Sequence, residues 1–267
     1  MALTACSTPL DSWVSLPSID PSTTATYHAR LTLLGAHQRS NARLAHAVLN
    51  ALHASHPKLF GHLKDEHIKA GFETARWLGR LSWHAVSVPS AGMEPRILRL
   101  LVDGAHNAAS AATLASYLCT LSAYGTSHDS TPPADLSQQS QAGGRQPYTF
   151  ILALSHSPPK MPLSVLSALL HPGDRVAVVN FVEPIEGMPW VKNVATGDLL
   201  KDAKQCIGDG GLLYVRPSSS ADNADSGPGD SLREALRWAS EQADMAVLTG
   251  SLYLVGDLYK YCDLMKE

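Results

Sequence analysis

Charge of one sign is what this chain conspicuously lacks. Twenty-one Lys and Arg stand against 24 Asp and Glu, for a formal net charge of -3. That leaves no basic footprint for nucleic acid. No apolar run reaches the roughly 18 residues that a membrane span needs. Cysteine is scarce and scattered, at positions 6, 119, 206 and 262. With no close pair to suggest zinc or a redox motif, the thiols read as reduced and mostly buried, as in a cytosolic protein. There is no G-x-x-x-x-G-K-[ST] loop to cradle phosphates, and Gly208-Asp-Gly-Gly211 lacks the spacing of a dinucleotide fingerprint. Neither an H-E-x-x-H pair nor a Cys/His cluster argues for a metal, and no G-x-S-x-G elbow argues for Ser/His/Asp chemistry. The first twenty residues hold two Asp and no Lys or Arg. That fits neither a basic-headed secretory signal nor an Arg-rich transit peptide, so the expected location is cytoplasmic rather than mitochondrial.

What is present is a chain of 267 residues, 45% hydrophobic, long and apolar enough for a real core. Residues 1–30, rich in Ser, Thr and Pro, predict a poorly ordered lead-in. From Gln38 to Leu52 apolar residues recur at helical spacing (Ala42, Ala45, Val48, Leu49, Leu52), with Ser40 or Asn41 as possible caps. A second helix is predicted from Lys64 to about Thr74. After Gly79-Arg80 the texture becomes strand and helix in alternation. Strands are expected at 81–88, 97–102, 148–154, 175–181, 212–215 and 245–248, with helices near 107–124, 163–170, 199–207, 231–242 and 252–265. This order argues for an α/β fold with a mostly parallel sheet covered by helices on both faces. Two polar, low-complexity stretches, 126–146 and 217–230, read as surface insertions because the alternation resumes in phase after each.

Four places could carry chemistry. Asp103-Gly-Ala-His106-Asn107 lies where an apolar strand hands over to a helix, at the carboxyl edge where parallel sheets bind ligands. There Asp103 can accept hydrogen bonds from ribose hydroxyls, and His106 stands at a helix start that favours an anion. The alternative is that Asp103 and Asn107 cap the helix and His106 is a surface residue. Thr249-Gly250-Ser251 occupies a second strand-to-helix turn, where Ser251 could bind a carboxylate or simply cap. Gly79-Arg80 could fork onto phosphate, or Arg80 could pair with an acid such as Glu73. Gln38 and Asn41, three apart, share a helix face and could touch a base, or could be no more than a polar cap.

In order, His37-Gln38-x-x-Asn41-Ala42, Gly79-Arg80-Leu81, Asp103-Gly-Ala-His-Asn107 and Leu248-Thr-Gly-Ser-Leu-Tyr-Leu-Val-Gly256 resemble the folylpolyglutamate and dihydrofolate synthases of the Mur ligase superfamily. The likeness runs from about Leu31 to Asp257. Gly187-Met-Pro-Trp-Val191 looks like the fungal dihydrofolate synthetase branch. The resemblance implies a Rossmann-like C-terminal domain at 63–267, preceded at 31–62 by a helical remnant of the ATPase domain. It implies an ATP- and Mg2+-dependent ligase in which a pteroate or folate carboxylate becomes an acyl phosphate and the amine of L-glutamate attacks it. Asn41 would touch the nucleotide, Arg80 its phosphates and Asp103 the ribose, while His106 and Ser251 would place the glutamate and His106 would act in catalysis. The phosphate loop and magnesium ligands of the family are not in these residues, so no metal ligand is expected here. The chain alone is expected to be inactive, with a separate ATPase half as a possible partner. Pro159-Lys160-Met161 departs from the family's Lys-Asp. Dihydrofolate synthase is the favoured activity; folylpolyglutamate synthase and a non-catalytic module of the same fold are the alternatives, and a flavodoxin-like signalling domain is disfavoured because no acidic cluster follows the first strands. The apolar stripe of 38–52, if left bare, is expected to promote association.

Overall fold

Hydrophobic runs separated by turn residues place the strands, and the computed structural model describes residues 1–6, 10, 12–90, 93–126, 145–156, 161–215 and 230–262. The chain divides into two compact units, Thr8–Ser82 and Met1–Ser7 with Trp83–Glu267.

The smaller unit is a hairpin backed by helices. Strands β2 (Ser12–Pro17) and β3 (Thr26–Leu31) pair antiparallel, Val14 against Ala29 and Leu16 against Tyr27. Their buried residues Val14, Leu16, Ala29 and Leu31 meet Ala42 of α1 (Ala36–Ser55). The short α2 (Pro57–Phe60) follows, and α3 (Asp65–Thr74) packs on β3 through buried Ile68. Asp65 ties the unit together, accepting from the Ser18 hydroxyl at 2.6 Å and the Ile19 amide at 2.8 Å. Three expectations are corrected. Residues 1–30 contain three strands, because Val14, Leu16, Ala29 and Leu31 alternate inward on a buried face. The unit boundary falls at Ser82–Trp83 rather than 62–63, because α3 is held to the hairpin by Asp65 and Ile68. Helix α1 starts at Ala36 after Gly35 and has no side-chain cap, so Ser40 and Asn41 lie inside it. Its buried face is set by Ala42 and His46, while Leu44 and Val48 are exposed.

The larger unit is built on a seven-stranded sheet in the order β1-β4-β5-β9-β6-β7-β8. Its strands are β1 (Ala2–Ala5), β4 (Ser82–Ser90), β5 (Met93–Val102), β6 (Thr149–Leu152), β7 (Arg175–Val178), β8 (Leu212–Tyr214) and β9 (Met245–Thr249). From β5 to β8 every pairing is parallel, and β1 joins β4 antiparallel at one edge. The intervening helices are α4 (Ala108–Thr126), α5 (Pro162–Leu169), α6 (Thr196–Ile207), α7 (Asp230–Gln242) and α8 (Leu252–Tyr261). On one face α7 and α8 bury Leu236, Ala239, Leu254 and Leu258 against Leu100, Val102, Ile151 and Leu248. The alternate residues Leu101, Phe150, Leu152, Val176 and Val247 are equally buried, and α4, α5 and α6 pack side by side. Near-continuous burial along each inner strand is what a parallel sheet covered on both faces requires.

The two polar stretches fall largely outside the described residues, as does most of Pro159-Lys160-Met161. The ends of the stretches do not behave as insertions: Arg145 is buried in an ion pair and Asp230 opens α7. Among the described residues no helix is long and apolar enough to cross a membrane.

Candidate functional site at the carboxyl edge

The backbone ladder brings two of the four motifs to one edge. Val102 and Leu248 are register partners on neighbouring parallel strands, and the Asp103 amide donates to the Leu248 carbonyl at 3.0 Å. Asp103 follows β5 directly, and Gly250 and Ser251 follow β9. The adjacent strand β6 ends at the same edge, where the Ala153 amide donates to the Thr249 carbonyl at 3.3 Å. Gly250 is the residue that makes the crossing possible. Its φ is 98°, and a Cβ there would stand 2.2 Å from the Ala153 carbonyl oxygen, so any side chain would collide with backbone.

The turn at 103–107 is organised by Asn107 and Ser110. The Asn107 side-chain oxygen accepts from the Ser110 amide at 2.9 Å, and the Ser110 hydroxyl accepts in return from the amides of Asn107 and His106 at 3.2 Å. This reciprocal cap satisfies the first free N–H groups of α4. The helix-capping reading is therefore correct for Asn107. His106 is half-buried, and its Nδ1 lies 2.9 Å from the Gly104 carbonyl. A carbonyl can only accept, so Nδ1 is the donor of this contact. Asp103 is buried, at 8% exposure.

Ser251 is also buried, and its hydroxyl accepts from the Tyr253 amide at 3.1 Å, capping α8. Its proton is left for another acceptor. Next to it in sequence, Thr249 is fully buried and its Oγ1 has no hydrogen-bond partner. Within the Thr249-Gly250-Ser251 turn, the sequence pointed to Ser251 as the binding hydroxyl; Thr249 is a second buried hydroxyl of the same edge.

The other two motifs lie in the smaller unit. His37 and Leu81 both border Gly35, whose φ is 101°. Within α1, the Asn41 side-chain amide donates to the Gln38 side chain at 3.0 Å, so the pair does share a face. Arg80 lies over the Trp77 ring at 6.0 Å, and Glu73 pairs instead with Lys69 at 3.9 Å. Asn41 and Arg80 thus belong to one compact unit, and Asp103, His106 and Ser251 to the other. Among the described residues no group of three or more His, Cys, Asp or Glu could hold a metal ion.

Known proteins resemble this chain in sequence and in fold. Residues 134–261 match the family described as dihydrofolate synthetase, C-terminal domain. A probable dihydrofolate synthetase of Schizosaccharomyces pombe is 27% identical over 237 residues, 87% of this chain and 44% of the relative. A dihydrofolate synthetase of Saccharomyces cerevisiae is 28% identical over 239 residues, 87% of this chain and 45% of the relative. Among solved structures, Mycobacterium tuberculosis folylpolyglutamate synthase complexed with ADP has the same fold, with a TM-score of 0.51 at 21% identity over 89% of this chain and 43% of that one. The chain therefore spans less than half the length of the curated relatives it matches.

Proposed function

We propose, from the premise that this chain is a relative of the C-terminal part of dihydrofolate synthetases, that it supplies the C-terminal half of a ligase joining L-glutamate to dihydropteroate. The observation that carries this reading is the convergence of the 103–107 and 249–251 turns on neighbouring parallel strand ends, within a chain related to those enzymes over 87% of its length. A parallel sheet binds ligands at that edge.

ATP, when bound, supplies the phosphoryl group that turns a carboxyl into an acyl phosphate. The chain's own residues fit the nucleotide's sugar and the amino acid. The Asp103 carboxylate suits two ribose hydroxyls, a charge-assisted contact worth about 1.5–3 kcal/mol. His106, held by the Gly104 carbonyl, offers Nε2 as an acceptor for the glutamate ammonium. It would take the proton that the amine must lose before attacking a carbonyl carbon. The Ser251 hydroxyl has a proton to donate to a glutamate carboxylate. Asn41 and Arg80 are proposed for the nucleotide base and phosphates. Among the described residues no group of three or more His, Cys, Asp or Glu gathers to hold magnesium, and no residue is assigned to it.

The test is a coupled ADP-release assay with L-glutamate on the product of the complete reading frame. Turnover with dihydropteroate, lost on Asp103→Ala and on His106→Ala, is expected. Turnover confined to tetrahydrofolate would turn the reading to folylpolyglutamate synthase. Unchanged turnover in both variants would overturn the site assignment.

A further inference from the structure

The connection from β7 to α6, residues 179–195, carries no regular secondary structure, yet it is cross-braced throughout. Asn193 closes it on itself: its side chain accepts from the Phe181 amide at 3.0 Å and donates to the Phe181 carbonyl at 2.9 Å and to Glu183 at 2.7 Å. Glu183 also accepts from the Asn193 amide and pairs with Lys192 at 3.1 Å. Toward β6, the His156 amide donates to the Lys192 carbonyl at 2.7 Å and the Val194 amide to the Leu154 carbonyl at 2.8 Å. Toward α8, the Val182 amide donates to the Asp257 carboxylate at 2.7 Å. The Phe181 and Tyr253 rings lie 5.2 Å apart, and the Tyr253 hydroxyl reaches the Met188 sulfur at 3.6 Å.

These contacts have one direction in common. The loop reaches from the end of β7, past the end of β6, to the first two turns of α8. Tyr253, which holds Phe181 and Met188, is the residue whose amide Ser251 caps. Asp257 lies one turn further along α8, and burial raises its carboxyl above the usual range while the Val182 amide favours its charged form. A long irregular segment pinned at both ends costs ordering entropy, and such loops are kept mostly where they shape a site.

We propose that Asp257 is a positioning residue of the carboxyl-edge site: by holding Val182 it fixes the 179–195 loop as a preformed wall and keeps the start of α8, and with it Ser251, in place for an amino-acid ligand. The ligand part of this statement rests on the proposed function; the link from Asp257 to Ser251 does not.

The experiment compares this chain with Asp257→Ala and Asp257→Asn by amide hydrogen exchange and amide NMR shifts, then by titration with L-glutamate. In Asp257→Ala the Val182 amide should exchange roughly 10- to 100-fold faster, as expected for the loss of a bond to a charged acceptor. The Ser251 and Tyr253 amides should shift, and glutamate affinity should fall about tenfold, the size of one lost positioning contact. Asp257→Asn keeps an oxygen that can accept from Val182 and should stay near wild type in all three. An unchanged Val182 amide overturns the proposal, and so does a freed Val182 with undisturbed Ser251 and Tyr253 amides, which would make Asp257 merely structural. Absence of glutamate binding in the unaltered chain would instead overturn the reading of Ser251 as a ligand contact. If Asp257→Ala does not fold, Asp257→Ser, whose shorter side chain also withdraws the acceptor from the Val182 amide, is read by the same amide signals and with the same overturning results.

Discussion

The two ends of the parallel sheet hold different kinds of buried polar group, an ion pair at one and neutral side chains of strand-to-helix turns at the other. At the amino end, Arg145 and Asp174 form a bidentate ion pair at 2.6 and 3.1 Å, with side chains only 4% and 1% exposed. Asp174 also accepts from the amides of Tyr148 at 2.9 Å and His171 at 2.8 Å, while Arg145 donates to the Leu169 carbonyl and lies over the Tyr148 ring. At the carboxyl end, Thr249 Oγ1 is buried without a partner, the Ser251 hydroxyl has a proton to spare, and half-buried His106 is held through Nδ1 by the Gly104 carbonyl. A polar group whose bonding is complete within the chain contributes stability; one with capacity left over is where a ligand can add a bond. The amino end is dominated by its ion-pair clamp, although Arg145 Nε and Thr149 Oγ1 are also buried there without a partner; the carboxyl end carries the proposed site.

Breaking the clamp should have the largest effect on folding. Asp174→Ala leaves a buried guanidinium and two amides without their acceptor, and it should cost about 3–5 kcal/mol in urea unfolding. Ligand binding by the folded fraction should be unchanged. A loss below about 1 kcal/mol, the scale of an exposed pair, would show that the clamp is not one.

An intermediate case lies in the core between the two ends. His84 on β4 shares a 2.9 Å hydrogen bond with the Tyr259 hydroxyl, but its Nδ1 is buried without a partner. Burial pulls its pKa down to about 4, so the folded protein holds it neutral. The unfolded chain binds this proton near pH 6.5 and the folded one only near 4. The contribution is therefore complete above about 6.5 and is lost as pH falls toward 4, by roughly 2–3 kcal/mol. Denaturation midpoints measured from pH 7.5 down to 4.5 should fall less steeply in His84→Gln. Equal slopes would mean that His84 is not held neutral by the fold.

These contrasts also show how much was legible from sequence. The alternation from β4 to α8 could be read because buried parallel strands and amphipathic helices write long periodic signals. The carboxyl-edge turns could be read because Asn107, Gly250 and Ser251 are residue types with few local uses. The hairpin of β2 and β3 was hidden in Ser, Thr and Pro; its signal was the alternation of Val14 with Leu16 and of Ala29 with Leu31. The contact of Ser18 and Ile19 with Asp65, the Arg145 clamp and the bracing of residues 179–195 have no local signal, because each joins residues that meet only after the chain has folded.

Ser251→Ala tests the site from the other side. Losing the cap of α8 should cost about 1 kcal/mol of stability, well short of the clamp. Glutamate affinity should fall by tenfold or more if the hydroxyl donates to a carboxylate, a larger share of binding than of folding. A variant that loses stability but binds glutamate as before would reduce Ser251 to a cap.

The smallest effect on stability should come from Thr249→Val, and it separates the two ends most cleanly. Valine matches threonine in shape and removes a hydroxyl that is already buried without a partner. Replacing an unsatisfied group by an apolar one of the same shape is neutral or stabilising, here by less than about 1 kcal/mol. A destabilisation beyond that would mean the hydroxyl is bonded in solution rather than spare. If stability holds and nucleotide or glutamate binding weakens, the spare hydroxyl belongs to the ligand. If neither changes, Thr249 tolerates its unpaired hydroxyl to no purpose at the site, and the capacity left at this edge reduces to His106 and Ser251.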